Sequence, residues 1–259
     1  MKIHFLGLSC FLIENEKGYR MLVDPYNDSP EWCLGPKFPK TFKGKPFGTN
    51  LVLMSEPDSD HAHAPGGWLQ AAPPTKPNSD PFPDINIQGT VVYEWNGDLN
   101  IAWSYTIDGV RMTHFGDHAH ALTKKQLKQI GKTDIVFMSA PKPEEASKAM
   151  EIVRRDIRAL NPRLVIWAHH IAPEKMPSLK DGDKLRKFFV KYFKKHLGDR
   201  DDYVDKTSYM ELANVLQNAN ILNKELDGKI LRKTSLRIDK KSLPRKTTSA
   251  LFVKMLGKE

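Results

Sequence analysis

The stretch NIAWSYTIDGVRMTHFGDHAHALTKKQLKQIGKTDIVFMSAP, residues 100–141, decides the fold class. Its first half reads as two strands, 99–107 and 110–114, joined by Asp108-Gly109, a pair that tolerates the positive φ of a tight hairpin turn. Thr123 then offers a hydroxyl to cap a helix that runs to Ile130 and closes on Gly131. The apolar run 134–138 (DIVFM) returns as a buried strand. A hairpin that passes into helix and buried strand points to an α/β domain.

The same alternation continues towards the C-terminus. Ala146, Ala149, Ile152, Val153, Ile157 and Leu160 give residues 143–160 a helical period, and 164–168 (LVIWA) is another buried strand. Residues 183–197 set apolar positions 185, 188, 189, 192 and 193 among lysines, an amphipathic basic helix. A helix over 207–219 and β-like runs at 229–238 and 248–255 close the chain. Towards the N-terminus the pattern is β-rich: a strand at 87–95 before Asn96-Gly97, a surface loop at 71–84 with five prolines, and a strand at 51–54 (LVLM). Residues 25–50 read as a long irregular loop, and 2–13 with 20–24 as a hairpin around Glu14–Gly18. With no internal repeat and no linker, residues 1–259 read as one domain with a basic C-terminal region from about 175.

Composition narrows the class. Apolar residues at 40% and charged residues at 27% are those of an ordinary globular domain, which excludes disordered, collagenous and coiled-coil chains. Two cysteines, Cys10 and Cys33, form neither a disulfide framework nor a thiolate metal site, so the expected compartment is the reducing cytoplasm. The apolar stretch His4–Ile13 ends at Glu14 without a cleavage site and reads as a strand, not a signal peptide. No apolar run reaches the roughly 18 residues that a membrane span needs. The formal charge of +9 is uneven: residues 175–259 carry 21 Lys and Arg against 11 Asp and Glu, a net +10, whereas residues 1–174 carry 19 against 20, a net −1. A basic third can attract nucleic acid or another polyanion, or it can simply be a solvated surface.

Four polar clusters directly follow four expected strands: Glu56-Pro57-Asp58-Ser59-Asp60-His61, His114-Phe115-Gly116-Asp117-His118, Ser139-Ala140-Pro141 and His169-His170. Loop side chains fixed by strand ends are where α/β proteins collect their functional groups. Asp60, His61, Asp117 and His169 supply two carboxylates and two imidazoles, a set suited to a borderline divalent ion, Zn²⁺ foremost, with Mn²⁺ or Mg²⁺ as alternatives. Hydrolysis by a metal-bound hydroxide then needs no covalent nucleophile.

These residues carry a family resemblance. The opening MKIHFLGLSCFLIENEKGYRMLVDPY resembles the first hairpin of the metallo-β-lactamase superfamily, with Leu22-Val23-Asp24-Pro25 as its LxDP segment. Residues 100–141, the segment LNPRLVIWAHH and the tail SLRIDKKSLPRKTTSALFVKML are similar to the branch of metal-dependent hydrolases that includes ascorbate-lactonase-like proteins. The resemblance implies a four-layer αββα sandwich with its site at one edge between two sheets. It also implies that Asp60 and His61 end the metal motif, that Asp117 is the bridging aspartate and that His169 is the last metal histidine. The motif's two leading histidines are Glu56 and Asp58 here, and the histidine expected before His114 is missing, with Tyr93-Glu94 the nearest polar residues. Asp58 or Glu56 is then a ligand to a second ion or the general base.

His170 competes with His169 for the ligand position. His63, His118 and His120 read as supporting or surface groups, or as substrate contacts, and His114 as packed or hydrogen-bonded behind Asp117. Trp95, Trp103 and Trp167 fall on expected strands and read as core. The apolar face of helix 183–197 is expected on the outer face of a sheet, its lysines solvated; the rival reading is a membrane or nucleic-acid surface. Two functions follow: a metal-dependent hydrolase of a small ester, lactone, amide or phosphoester, or a catalytically inactive relative that binds nucleic acid or another polyanion.

Overall fold

The computed structural model describes residues 1–27, 37–58, 60–63, 85–142, 146–173, 175–197 and 206–256. The expected loop 71–84 therefore lies outside the described residues.

Two sheets face each other. The first has five strands in the order β13-β1-β2-β3-β6, drawn from β1 (Lys2–Gly7), β2 (Cys10–Glu14), β3 (Arg20–Val23), β6 (Leu51–Leu53) and β13 (Ser235–Arg237). The second has seven in the order β12-β14-β11-β10-β9-β8-β7: β7 (Gln88–Tyr93), β8 (Leu99–Ile107), β9 (Val110–His114), β10 (Ile135–Ser139), β11 (Leu164–Ala168), β12 (Lys229–Leu231) and β14 (Thr248–Phe252). Strands β9, β10, β11, β14 and β12 run parallel, as do β3 and β6. Both β10 and β11 are buried along their whole length, which is why each reads as an unbroken apolar run. Aromatic rings fill the space between the sheets, with Phe11 4.7 Å from Phe137 and Phe5 5.6 Å from Phe252 between centroids. Such contacts add about 0.5–1.5 kcal/mol per pair beyond area burial.

Among the described residues four helices complete the α/β architecture: α1 (Lys124–Ile130), α2 (Ala146–Leu160), α3 (Gly182–Leu197) and α4 (Lys206–Glu225). Helix α1 starts as the sequence suggests, with the Thr123 hydroxyl accepting from Gln126 N at 3.2 Å and Gln126 Oε1 accepting from Thr123 N at 2.8 Å. It packs on β7, and α4 packs on β14. The apolar face of α3, including Leu185, Phe189 and Phe193, packs on α4; the expectation that it docks on a sheet is corrected, since α4 already covers that sheet. Helix α1 also seals the free edge of β7: Gln129 and Gln126 donate their side-chain amides to the carbonyls of Gly89 (3.0 Å) and Val91 (2.8 Å), and Ala119 N donates to that of Tyr93 (3.0 Å).

Three local readings change. The run 2–13 is two antiparallel strands, because the chain reverses at Gly7 (φ 117°) and Leu8 (φ 53°). The loop 25–50 contains a short ribbon of β4 (Thr41–Phe42) and β5 (Lys45–Pro46), and Phe42 packs edge-on against His4 at 4.9 Å. The run 229–238 divides between sheets, β12 pairing with β14 and β13 with β1. Of the three tryptophans expected in the core, Trp167 is buried and Trp103 partly so, but Trp95 lies beyond the end of β7 and is 47% exposed. No helix among the described residues is long and apolar enough to cross a membrane.

Candidate metal centre

The parallel strands deliver their C-terminal ends to one edge of the sandwich, where Asp24 follows β3, residues 55–58 and 60–61 follow β6, residues 115–117 follow β9 and His169 follows β11. Three of these ends, and the Gly7–Leu8 reversal before Ser9, use left-handed backbone: Leu8 (φ 53°), Asp24 (φ 48°), Gly116 (φ 56°) and His169 (φ 57°). Non-glycine residues rarely adopt this conformation, and its clustering at one edge fits a site that turns side chains sharply inward. Only glycine fits at 116, where a Cβ would collide with the side chains of Ser55 and Asn100.

Asp24 anchors the site. Its carboxylate accepts from Ser55 N (2.8 Å) and Ser55 Oγ (2.8 Å) and stands 3.0 Å from His61 Nδ1. Burial pushes its pKa up, but the imidazoles of His114 and His61 and the hydrogen bonds from His61 and Ser55 prevail and hold it below the usual carboxylate value. The His61 ring is thereby fixed with Nδ1 towards Asp24 and Nε2 towards the cleft. There Nε2 lies 2.9 Å from Glu56 Oε1 and 3.6 Å from Asp60 Oδ2, without hydrogen-bond geometry to either. Burial opposes a charge on His61, yet Asp60 and Asp24 outweigh it and draw its pKa well above the normal value.

His169 faces the same space. Its ring stacks on His61 at 5.5 Å, and its Nδ1 lies 3.4 Å from Ser9 Oγ and 3.5 Å from Asp117 Oδ1. His170 turns the other way, with Nε2 2.8 Å from the Phe252 carbonyl and its ring stacked on Phe5 at 4.6 Å; burial lowers its pKa to about 4. Burial lowers the pKa of His114 too, against the pull of Asp24; Nε2 contacts the Ser9 carbonyl at 2.9 Å, and Nδ1 accepts from Gly116 N at 3.1 Å, supporting the turn that carries Asp117.

Two groups of ligand atoms result. Asp60, His61 and His169 bring one such atom each within 4.8 Å of one another, and so do Glu56, Glu94 and Asp117. Asp117, a member of the second group, also meets the first, its Oδ1 3.5 Å from His169 Nδ1, and its Oδ2 lies 3.4 Å from Lys142 Nζ. Burial would raise its pKa, but His169, Lys142 and His61 bring it down to about 2. Glu94 moves the opposite way, to about 9: it is desolvated, hydrogen-bonded to Glu56, and repelled by Glu56, Asp117 and Asp58.

Asp58 is exposed and belongs to neither group. Its own role at this edge is through its carbonyl, which accepts from His61 N at 2.9 Å and Ala62 N at 2.8 Å. His118 is buried with Nε2 3.6 Å from Asp156, while His120 is exposed with its ring 6.5 Å from Tyr93. Sequence reasoning named Glu94 only as a polar neighbour and left Asp24 inside a motif. The strand period could have placed Glu94, because Thr90, Val92 and Glu94 alternate onto the buried face of β7.

The donor set fits a divalent cation. Three carboxylates crowd His61, Glu56 Oε2 is buried without a hydrogen-bond partner, and the negative field that raises the pKa of His61 would equally favour a metal ion there.

Residues 2–169 match the beta-lactamase superfamily domain family, a span ending at the candidate ligand His169. A proposed Zn-dependent hydrolase of the metallo-beta-lactamase superfamily from Thermotoga maritima has a similar structure, with a TM-score of 0.50 and 15% identity over 97% of this chain and 98% of that one. Igni18, a metallo hydrolase from Ignicoccus hospitalis, gives a TM-score of 0.46 at 14% identity over 73% of this chain and 90% of its own. The short form of human tRNase Z gives 0.45 at 12% identity, over 65% and 92%. No curated protein matches the chain.

Proposed function

The chain belongs to the beta-lactamase superfamily, and from that premise we propose that it is a metal-dependent hydrolase in which Asp60, His61, Asp117 and His169 hold the ion. The observation that carries this reading is the convergence of Asp60, His61 and His169 within 4.8 Å, with His61 Nδ1 fixed on Asp24 and Nε2 free in the cleft. A carboxylate that orients a metal-binding histidine in this way raises the ring's basicity and sets its tautomer. A divalent ion bound there supplies Lewis acidity and charge for the oxyanion that develops during hydrolysis.

The chain's own groups do the rest. Glu56 Oε2 is buried, unpartnered and next to the ligands, so it is the carboxylate placed to take a proton from an attacking water. Asp58, exposed on the same loop, can pass that proton to solvent. Lys142, beside Asp117, offers a positive charge to an anionic substrate group. The substrate class this set supports is a small ester, lactone, amide or phosphoester. Zinc suits the imidazole-bearing group, while Glu56, Glu94 and Asp117 are all oxygen and suit a harder ion such as Mn²⁺ or Mg²⁺. We place the activity in the cytoplasm, since two cysteines are too few for the disulfide framework of an exported domain.

The test is elemental analysis of the purified protein followed by hydrolysis of p-nitrophenyl esters and bis-p-nitrophenyl phosphate with Zn²⁺, Mn²⁺ or Mg²⁺ added. Bound divalent metal and metal-dependent turnover of either substrate are expected. A protein that holds no metal and hydrolyses neither with any ion is a binding module instead.

A further inference from the structure

A second concave surface opens beyond the C-terminal ends of β11, β14 and β12, along the edge that carries the metal centre. It is a groove of about 1160 Å³ walled by residues 172–173 and 175–180, residues 253–256, the β12–β13 connection and α4. The walls are tied together: Leu256 N donates to Phe5 O at 2.8 Å, Val253 N to Leu231 O at 3.0 Å, and Asn220 Nδ2 to Leu179 O at 3.4 Å.

Five cations line it, Lys175, Lys180, Lys224, Arg232 and Lys254, all exposed and none in an ion pair among the described residues. Among the described residues no acid lines it; Asp181 and Glu225, next in sequence to Lys180 and Lys224, pair instead with Lys184 at 3.0 Å and Arg154 at 2.8 Å, and Glu174 and Glu259 lie outside the described residues. Unpaired like charges repel one another, so their convergence favours an anionic occupant. The floor is aliphatic, with Met176, Leu179, Val253, Met255 and Leu256, and Ile230 is left 38% exposed at the margin. Methionine and leucine adapt to a flexible aliphatic body. The lining holds no aromatic side chain, so it offers no stacking platform for the bases of a single strand. A groove, unlike a flat face, encloses one molecule rather than lying on a bilayer.

We propose that this groove binds single molecules of an anionic amphiphile, a phosphate-bearing head on the cationic rim and an aliphatic chain along the floor. The proposal does not rest on the metal centre, and its test is binding alone. Calorimetric titration of the full chain with 1-oleoyl lysophosphatidate below its micellar concentration should show saturable 1:1 binding. Inorganic phosphate, which lacks the chain, and oleyl alcohol, which lacks the charge, should each bind at least about tenfold more weakly. The Arg232→Glu, Lys254→Glu double variant should lose about tenfold or more in affinity while keeping its melting temperature and metal content. If charge reversal prevents folding, Arg232→Gln with Lys254→Gln should show a smaller loss in the same direction. Absence of saturable lysophosphatidate binding overturns the proposal. So does a single-stranded oligonucleotide that binds as tightly and is lost in the same variants, or capture by phosphatidylserine vesicles without any binding of the monomer.

Discussion

Asp24 sets the chemistry of His61 without reaching the cleft itself. It is fully buried, accepts two bonds from Ser55 and stands 3.0 Å from His61 Nδ1. Asp24→Asn should therefore weaken divalent-metal affinity by about 10–100-fold, the usual effect of losing a carboxylate behind a metal histidine; unchanged affinity in a metal titration would remove Asp24 from the site. Asp117→Ala should cost more, because this carboxylate joins both ligand groups, and metal held stoichiometrically by that variant would contradict the assignment. The altered motif gives a third test. Asp58 lies outside both groups, so imidazoles are best restored at Glu56 and Glu94; Glu56→His with Glu94→His should raise zinc content from about one towards two per chain. Much of this was legible in the sequence: Asp60, His61, Asp117 and His169 stand in a recognisable order. The choice between His169 and His170 was not, because it turns on the left-handed backbone at His169, which points adjacent rings to opposite sides. Glu94 escaped because a carboxylate at the end of an alternating strand reads equally well as a turn residue.

At the scale of elements, β1 shows how burial couples to pH. His4 lies under Phe42 of the β4–β5 ribbon with its Nε2 buried and unpartnered; burial and then Lys2 lower its pKa to about 4, against the opposing pull of Glu14. The unfolded chain takes up this proton near pH 6.5, the folded chain only near pH 4. His4 thus withdraws stability as pH falls from 6.5 towards 4 and leaves it untouched above 6.5. His4→Phe should flatten that slope, with an advantage over the parent that grows to on the order of 1–2 kcal/mol at the acid end. Parallel melting curves at pH 7.5 and pH 5 check this; an advantage independent of pH would mean that packing alone changed. The parallel strands and α1 were readable from apolar runs and a capping box. The division of 2–13 into two strands was not, because every residue from Ile3 to Ile13 is buried, and the small Gly7 and Ser9 at the reversal interrupt the run without exposing it. Nor could 229–238 announce that its halves join different sheets, since strand pairing is decided by distant partners.

For the whole molecule, the net +10 of residues 175–259 predicts weak, salt-sensitive association with polyanions. Retention on heparin at low salt should fall steeply as salt rises, and replacing the exposed Lys187, Lys191, Lys194 and Lys195 of α3 with glutamine should remove most of it; no retention would mark these lysines as a solvated face. Charge asymmetry was plain in the sequence, but the apolar strip at the opposite end of the large sheet was not. Val91, Tyr93, Trp95 and Leu99 are 51%, 43%, 47% and 64% exposed around the β7–β8 hairpin, beside a strand that ends its sheet. A sticky surface next to an open row of peptide groups is the arrangement from which one chain recruits the next into a growing fibre. Here Gln126, Gln129 and Ala119 already occupy the outward carbonyls of that row. The helix that follows the candidate ligand Asp117 therefore also withholds this row from a second chain, a guard against fibre growth written in two glutamine side chains.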